Sequence, residues 1–192
     1  MDKDIATFCP QSQTDWRKWL EKNHQSQQSV WLVYFKVSTG IPSISWSEAV
    51  DEALCFGWID STKKTIDETK YMQYFSKRKP KSIWSKVNKE KVARLIQHKQ
   101  MRKAGFDSID VAKLNGSWAM MDEVEALVIP EDLKDAFSKH EGSMQYFDGL
   151  SKSAKKLLLH WIISAKRPET RQKRILEIAL NASKKQRPKQ FR

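Results

Sequence analysis

A run of β-branched and aromatic residues, Ser29-Val30-Trp31-Leu32-Val33-Tyr34-Phe35-Lys36-Val37, decides the fold of this chain. Such side chains favour the extended backbone of a strand. Apolar residues occur on both faces of the run, a pattern typical of a central strand rather than an edge strand. The residues after it, Ser38-Thr39-Gly40-Ile41-Pro42, are predicted to form a loop. We therefore expect a β-sheet in the N-terminal half, with one strand at about Val30–Val37.

Two more strands are predicted downstream, at Ile59–Thr65 and Tyr71–Phe75, with Asp67-Glu68-Thr69 as the turn between them. Two strands joined by so short a turn indicate an antiparallel hairpin. Before the hairpin, Ser45-Trp46-Ser47-Glu48 has the S-x-x-E form of a helix capping box, and Gly57 stands where a left-handed helix end is expected. A helix is therefore expected between the first strand and the hairpin.

Helical patterns dominate the rest of the chain. An amphipathic helix is predicted to begin near Ser85 or Asn88, Ser151 opens the clearest helix, and Pro168 starts the last one. A small mixed sheet followed by helices indicates the α+β class. The residues that we expect to be largely buried are Trp31, Leu54, Phe56, Trp58, Leu157 and Trp161.

The length of 192 residues suits a single domain. We divide it into an N-terminal α/β part at about 14–80, a helical part at about 81–183 and a basic tail at 184–192. No apolar stretch approaches the roughly 18 residues that a membrane span needs. The N-terminal residues Met1-Asp2-Lys3-Asp4 lack the pattern of a signal peptide. These features predict a cytoplasmic protein without a membrane span.

Positive charge is the strongest compositional signal, since the formal net charge is +12. Such a charge favours nucleic acid, anionic lipid or acidic ligands as partners. Solvated lysines that keep the protein soluble are the simpler interpretation, because acidic residues are interspersed almost everywhere. Two segments are exceptions: 77–103, in which Glu90 is the only acid, and the tail 184–192, which has none.

Familiar catalytic and metal-binding patterns are missing from the sequence. It has no GxSxG, P-loop, GxGxxG or HExxH motif. Its four histidines and two cysteines show neither the spacing of metal ligands nor that of a disulfide framework. We therefore expect neither a metal nor a cofactor.

The first candidate site is the stretch Trp58-Ile59-Asp60-Ser61. A carboxylate next to core residues needs a partner, so Asp60 and Ser61 are candidate ligand-binding residues, with the thiol of Cys55 close by in the sequence. In the alternative interpretation, Asp60 caps a strand end or pairs with an arginine, and Cys55 is a small core residue.

The second candidate site is the segment 78–88, where cations, small hydroxyls, an asparagine and a tryptophan are crowded together. Cations supply charge for a phosphate or carboxylate, and a helix N-terminus supplies backbone N–H donors. The tryptophan could stack on a base. In the alternative interpretation, the segment is an N-capped helix with a hydrophobic staple and solvated lysines. The candidate ligand-binding residues here are Arg78, Lys79, Ser82, Trp84, Ser85, Lys86 and Asn88.

A third basic stretch lies at 166–175. Arg171 and Arg174 are three residues apart and share one face of the predicted last helix. They could bind an anion together, or they could anchor this helix to acidic side chains on the body of the protein.

Several of these stretches together resemble the YdeI/OmdA family, also called the bacteriocin-protection or OmpD-associated family. They occur in the family's order and span roughly 16–182. The resemblance implies a small cytosolic bacterial protein linked to envelope stress response or bacteriocin tolerance, and it implies no reaction. The matching pieces are Glu48-Ala49-Val50-Asp51-Glu52-Ala53-Leu54-Cys55-Phe56-Gly57-Trp58-Ile59-Asp60-Ser61, Ser82-Ile83-Trp84-Ser85-Lys86-Val87-Asn88, Met101-Arg102-Lys103-Ala104-Gly105 and Glu169-Thr170-Arg171.

Two function classes follow from the sequence. The first is a non-catalytic cytosolic binding protein for an anionic partner, either an anionic ligand or a nucleic acid, bound through the basic segment 78–88. The second is an enzyme that acts on a small anionic metabolite in a pocket formed by Asp60 and the basic segment. An enzyme needs Asp60, Trp84 and Asn88 to converge on a concavity, whereas a nucleic-acid binder spreads its cations over an open face. We favour the first class.

Overall fold

The structure, a computed structural model, describes residues 5–191. Residues 1–4, which were expected to lack a signal peptide, and Arg192 at the end of the basic tail lie outside the described residues. The chain folds as two compact units, Met1–Trp118 and Ala119–Arg192. The first unit contains a sheet and helices, and the described part of the second is helical, so the predicted α+β class is confirmed.

The first unit is built on a four-stranded mixed sheet. Its strands are β1 (Thr7–Phe8), β2 (Ser29–Phe35), β3 (Trp58–Thr65) and β4 (Lys70–Lys77), in the order β1-β2-β4-β3. β1 runs parallel to β2, and the other neighbours are antiparallel. The three predicted strands and the hairpin are confirmed, and β2 is central as expected. The two-residue strand β1 was not predicted, because so short a segment carries no alternating pattern.

Four α-helices complete the described part of the first unit. They are α1 (Gln13–Asn23), α2 (Trp46–Cys55), α3 (Lys86–Gln97) and α4 (Lys103–Leu114). Their buried residues and one face of the sheet form a single hydrophobic core. Two helices from the predicted helical part at 81–183 therefore share a core with the sheet.

Side-chain caps explain where α2 and α3 begin. At α2, the Ser45 hydroxyl accepts a hydrogen bond from the Glu48 amide at 3.2 Å, and the Glu48 carboxylate accepts one from the Ser45 amide at 2.9 Å. Hydrogen bonds from Ser45 also hold the pKa of Glu48 below its usual value. At α3, the Ser85 hydroxyl accepts from the Asn88 amide at 3.2 Å. The predicted capping box and the predicted start near Ser85 are both confirmed.

The second unit is a group of helices around its own core. Leu133, Phe147, Leu158 and Ile175 are among its buried residues. Among the residues that the structure describes, no helix is both long and apolar enough to cross a membrane. The helices are α5 (Met120–Glu125), α6 (Glu131–Ser138), α7 (Ser143–Asp148), α8 (Lys152–Ile163) and α9 (Pro168–Ser183).

Part of the predicted core is wrong. Leu157 is 44% exposed, and α8 instead buries Leu159 together with Leu158. Three consecutive leucines, 157–159, fit two neighbouring phases of the helix, so spacing alone could not select the buried face. Trp31 and Trp161 are half-buried, whereas the expected burial of the other three, Leu54, Phe56 and Trp58, is confirmed.

The third basic stretch anchors a helix rather than presenting two free arginines. Arg171 on α9 donates two hydrogen bonds to Asp132 on α6, from Nε to Oδ2 at 2.7 Å and from Nη2 to Oδ1 at 3.0 Å. These bonds hold the pKa of Asp132 below its usual value. Arg174 donates to the hydroxyl of Ser164 at 2.9 Å. Both arginines are thus engaged within the second unit: Arg171 anchors α9 to an acidic side chain, as the alternative predicted, whereas the partners of Arg174 are the Ser164 hydroxyl and the Trp161 carbonyl.

Candidate functional site

The first candidate site, around Asp60, lies on β3 and is occupied by donors from the protein itself. The Oδ2 atom of Asp60 accepts a hydrogen bond from Nε1 of Trp46 at 2.9 Å and another from Nε2 of Gln73 at 3.1 Å. The same Gln73 amide donates to the Ser61 carbonyl at 2.9 Å, while the Ser61 side chain is exposed. Asp60 is therefore a half-buried acceptor with partners from the protein itself, although these are Trp46 and Gln73 rather than the strand end or arginine of the alternative interpretation.

The Cys55 thiol is part of the core. The residue is fully buried, and burial, together with the negative charge of Glu52, raises the pKa of the thiol to about 11. At neutral pH the sulfur is protonated, and the thiol form is a poor nucleophile. Cys55 thus acts as a small core residue.

Arg78 is the centre of the second candidate site. It follows β4 directly, and its backbone amide donates to the Gly57 carbonyl at 2.9 Å. Its guanidinium carbon lies 3.7 Å from the centre of the Trp84 ring, and Nη1 donates to the Ile83 carbonyl at 3.3 Å. This stacking holds a planar cation against an aromatic face.

One nitrogen of the Arg78 guanidinium is in an environment that is unusual for an arginine. Its Nε atom is buried and has no hydrogen-bond partner among the described residues. An unsatisfied buried donor destabilises a fold by about 1–3 kcal/mol, so such groups are rare. Burial lowers the pKa of Arg78 to about 10, and the negative charge of Asp60 offsets part of that decrease. The side chain is still charged at neutral pH, and Arg78 and Trp84 are two predicted residues in direct contact.

Apart from the stacking of Arg78 on Trp84, the predicted residues of the basic segment are engaged in other contacts or exposed. Trp84 itself is 1% exposed and tilts against Trp118, so no base can stack on it in this conformation. Ser85 and the Asn88 amide are engaged in capping α3. Lys79 and Lys86 are exposed, and Ser82 is half-buried, with its amide donating to the Lys79 carbonyl at 2.9 Å. Nζ of Lys86 forms a distant ion pair, 3.9 Å, with Glu90.

A cavity of about 840 Å³ opens beside Arg78, at the place where α2 ends and α4 begins. We call it the Arg78 cavity. Of the nine predicted ligand-binding residues, only Arg78 lines it. The charged residues of its wall are four cations and two acids: Lys77, Arg78, Arg102, Lys103, Glu21 and Asp107.

Two glycines let the backbones of α2 and α4 meet at the wall of this cavity. Gly57 has φ of +71°, and a Cβ added there would lie 2.6 Å from the Ala104 carbonyl oxygen. A Cβ on Gly105 would lie 2.4 Å from the carbonyl oxygen of Cys55. That same Cys55 oxygen accepts a hydrogen bond from the Arg102 amide at 3.0 Å. The contact fixes the start of α4 against the end of α2.

The cations of the cavity are only partly neutralised. Nη2 of Arg102 pairs with Glu21 at 3.1 Å, and Nζ of Lys103 pairs with Asp107 at 2.8 Å. Nζ of Lys77 donates to a carbonyl, that of Gln25, at 2.7 Å. Because two carboxylates face four cations, the wall carries an excess of positive charge. Such a wall can hold a small anion.

The start of α4 adds further positive character. No side chain caps this helix, in contrast to α3, and its first two residues, Lys103 and Ala104, line the cavity. The first amides of a helix have no partner within the helix and carry part of the positive end of its dipole. The helix N-terminus that faces a cavity is therefore that of α4, not the predicted one of α3.

Sequence reasoning missed Arg102, Lys103 and Gly57 as members of a site. The stretch Met101-Arg102-Lys103-Ala104-Gly105 entered only through the family resemblance. Its signal was two adjacent cations shortly before a glycine.

Comparisons with known proteins give two matches in different parts of the chain. Residues 8–108 match the family model described as "Domain of unknown function (DUF8412)". Residues 126–185 match the model described as "Bacteriocin-protection, YdeI or OmpD-Associated", which confirms the resemblance predicted from the sequence. No curated protein and no solved structure matches the chain. The first match lies within the first unit, which holds the Arg78 cavity, and the second lies within the second unit.

Proposed function

This chain belongs to the family described as a domain of unknown function (DUF8412). We propose that the protein is a non-catalytic binding protein for a small anionic ligand, which binds in the Arg78 cavity. The match of residues 126–185 supplies the setting, which is bacteriocin protection. We place this role in the cytoplasm, where phosphorylated and carboxylated metabolites of suitable size occur.

The observation that carries the proposal is the convergence of Lys77, Arg78, Arg102 and Lys103 on one cavity. Arg78 is held in place by the Trp84 ring, so little side-chain entropy is lost when it binds. An oxyanion at the start of α4 would accept from backbone amides and from these cations together. Phosphate and carboxylate groups are the ligand chemistry that this combination favours.

A binding role is better supported than catalysis. The Asp60 carboxylate does not line the Arg78 cavity, and it is engaged by Trp46 and Gln73. The Cys55 thiol is buried and protonated. The groups that do line the cavity are suited to charge recognition.

We expect pyrophosphate, used as a probe, to bind the wild-type protein in isothermal titration calorimetry, and Arg78→Gln to weaken that binding by about tenfold or more. A charge-assisted hydrogen bond contributes enough free energy for that change. The matched control is Lys79→Gln, which removes the same charge from the next residue, an exposed lysine that does not line the cavity. Binding should depend only modestly on salt, since few counterions are displaced by a small anion.

Two results would contradict the proposal. One is the absence of heat beyond dilution with pyrophosphate and with citrate alike. The other is equal weakening by Arg78→Gln and Lys79→Gln, which would mean that the ligand senses only the overall charge.

A further inference from the structure

The side of the sheet away from the helices carries a second, separate set of aromatic and cationic side chains. The strand register places Trp31 opposite Tyr74 and Val33 opposite Met72 on β2 and β4. Lys64 of β3 is opposite Met72, on its other side. Because directly opposed residues point to the same face, these side chains share one surface. We call it the outer sheet face; its members are Trp31, Val33, Phe35, Lys64, Lys70, Met72 and Tyr74.

Burial separates the two faces clearly. The alternate residues Leu32, Tyr34 and Phe75 point to the helices and are fully buried. Trp31 and Tyr74, on the outer sheet face, are only half-buried, and they are not part of the core of the first unit. Large aromatic side chains left partly exposed on a sheet usually mark a contact surface.

The rings and cations of the outer sheet face are interleaved. The Trp31 and Tyr74 rings meet edge to face, with their centres 5.0 Å apart. Nζ of Lys64 lies 4.9 Å from the Trp31 ring, and Nζ of Lys70 lies 5.1 Å from the ring of Phe35. The Trp31 and Phe35 rings therefore each have a lysine ammonium over them.

The strands place no acidic side chain on the outer sheet face. Within strands β1 to β4 the sole acidic residue is Asp60. It lies on the helix-covered side, where it accepts from Trp46 and Gln73. The outer sheet face thus combines partly exposed aromatic rings with lysine side chains.

We propose that the outer sheet face binds single-stranded nucleic acid. Unpaired bases would stack on Trp31, Tyr74 and Phe35, and the backbone phosphates would pair with Lys64 and Lys70. Stacking platforms flanked by cations are how proteins bind single strands without reading their sequence. In a duplex the base faces are already stacked on each other, so these rings would gain nothing from it.

A second copy of the chain is a weaker candidate for this surface. Each copy carries a net charge of +12, and Lys64 and Lys70 would face their own counterparts across the interface. Like charges brought together without partners oppose association. A polyanion instead complements both the local lysines and the net charge.

The test is fluorescence anisotropy with a labelled oligothymidine of about 12 nucleotides, a length within the site sizes of such proteins. We expect tighter binding to this single strand than to a duplex of equal length. Trp31→Ala should weaken binding by about tenfold or more, because one stacked base contributes that much. Trp31→Phe, which keeps an aromatic ring, should recover most of the loss.

Lysine variants keep the test independent of folding defects. Lys64→Gln should weaken binding and lower its dependence on salt. The matched control is Lys63→Gln, its neighbour on β3, whose Nζ lies 4.1 Å from the Tyr71 ring on the opposite side of the sheet. Lys64→Gln should leave the binding of pyrophosphate unchanged, because Lys64 does not line the Arg78 cavity, so the two proposals can fail separately.

The proposal is overturned if the oligonucleotide does not bind at low salt, or if it binds equally to Trp31→Ala, Lys64→Gln and the wild type. It is also overturned if sedimentation shows that the wild type is a dimer which Trp31→Ala dissociates, because the outer sheet face would then be covered by a second copy.

Discussion

Replacing Gly57 by alanine is expected to lower the free energy of unfolding of the first unit by about 2–4 kcal/mol. Two effects add. The backbone at Gly57 has φ of +71°, a left-handed conformation that L-residues adopt only with strain. The new methyl group would also lie 2.6 Å from the Ala104 carbonyl oxygen, which belongs to the backbone of α4 and cannot rotate away.

The measurement is urea unfolding followed by tryptophan fluorescence. Seven of the eight tryptophans lie in the first unit, so this signal reports mainly on that unit. Gly116→Ala is the matched control, because Gly116 has φ of +79° and nothing within 4 Å of an added Cβ. The control isolates backbone strain, and the difference between the two variants isolates the contact with α4. Equal destabilisation by both would show that the packing of α2 against α4 is looser than described.

Replacing Arg17 by alanine is expected to destabilise the first unit by about 3 kcal/mol. Nη1 of Arg17 donates to Oε2 of Glu52 at 2.6 Å, and the Glu52 side chain is only 4% exposed. Gln13 donates to the other carboxylate oxygen at 2.7 Å. Removing the arginine leaves a buried carboxylate without its counter-charge, which costs far more than losing an exposed ion pair.

Two further variants test this explanation. Lys18→Ala changes an exposed cation on the same helix and should alter stability by less than about 0.5 kcal/mol. The double variant Arg17→Met with Glu52→Leu should recover most of the loss, since apolar side chains of similar volume can replace a buried pair. If Arg17→Ala and Lys18→Ala behave alike in urea unfolding, the pair contributes little and the expectation is wrong.

Features set by neighbouring residues were predictable from the sequence. The capping box of Ser45 and Glu48, the cap at Ser85 and the hairpin between β3 and β4 each depend on a few consecutive positions. The hydrogen bonds that form these features join residues a few positions apart, so the sequence alone is enough to predict them. The phase of α8 was not predictable, because Leu157 and Leu159 suit its buried face equally well and only packing selects one.

Only part of the candidate site was predicted, because some residues of the Arg78 cavity are far apart along the chain. Arg78 was identified because cations are dense around it in the sequence. Glu21 and Asp107, which share its cavity, stand far from it along the chain, and only the fold brings them together. At the start of α3, Ser85 caps the Asn88 amide, an arrangement that the sequence alternative of an N-capped helix had described.

Apolar residues on both sides of a strand can arise because both sides are buried in a core, or because one side is buried and the other forms a contact surface. Apolar residues on both sides of β2 correctly predicted a central strand. The prediction assumed that both sides would be covered, yet Leu32 and Tyr34 are buried while Trp31 remains partly exposed. Its hydrophobicity therefore points to a partner rather than to the core of the first unit.

We propose that the Arg78 cavity binds a small anion at the start of α4, and two-dimensional NMR of ¹⁵N-labelled protein can locate that binding. The protein is titrated with pyrophosphate, with chloride at equal ionic strength as the reference. We predict the largest shifts at the amides of Gly57, Lys103 and Ala104 and at Nε of Arg78, all saturating with one dissociation constant. Shifts no larger than those caused by chloride, or shifts confined to α3, would contradict the claim.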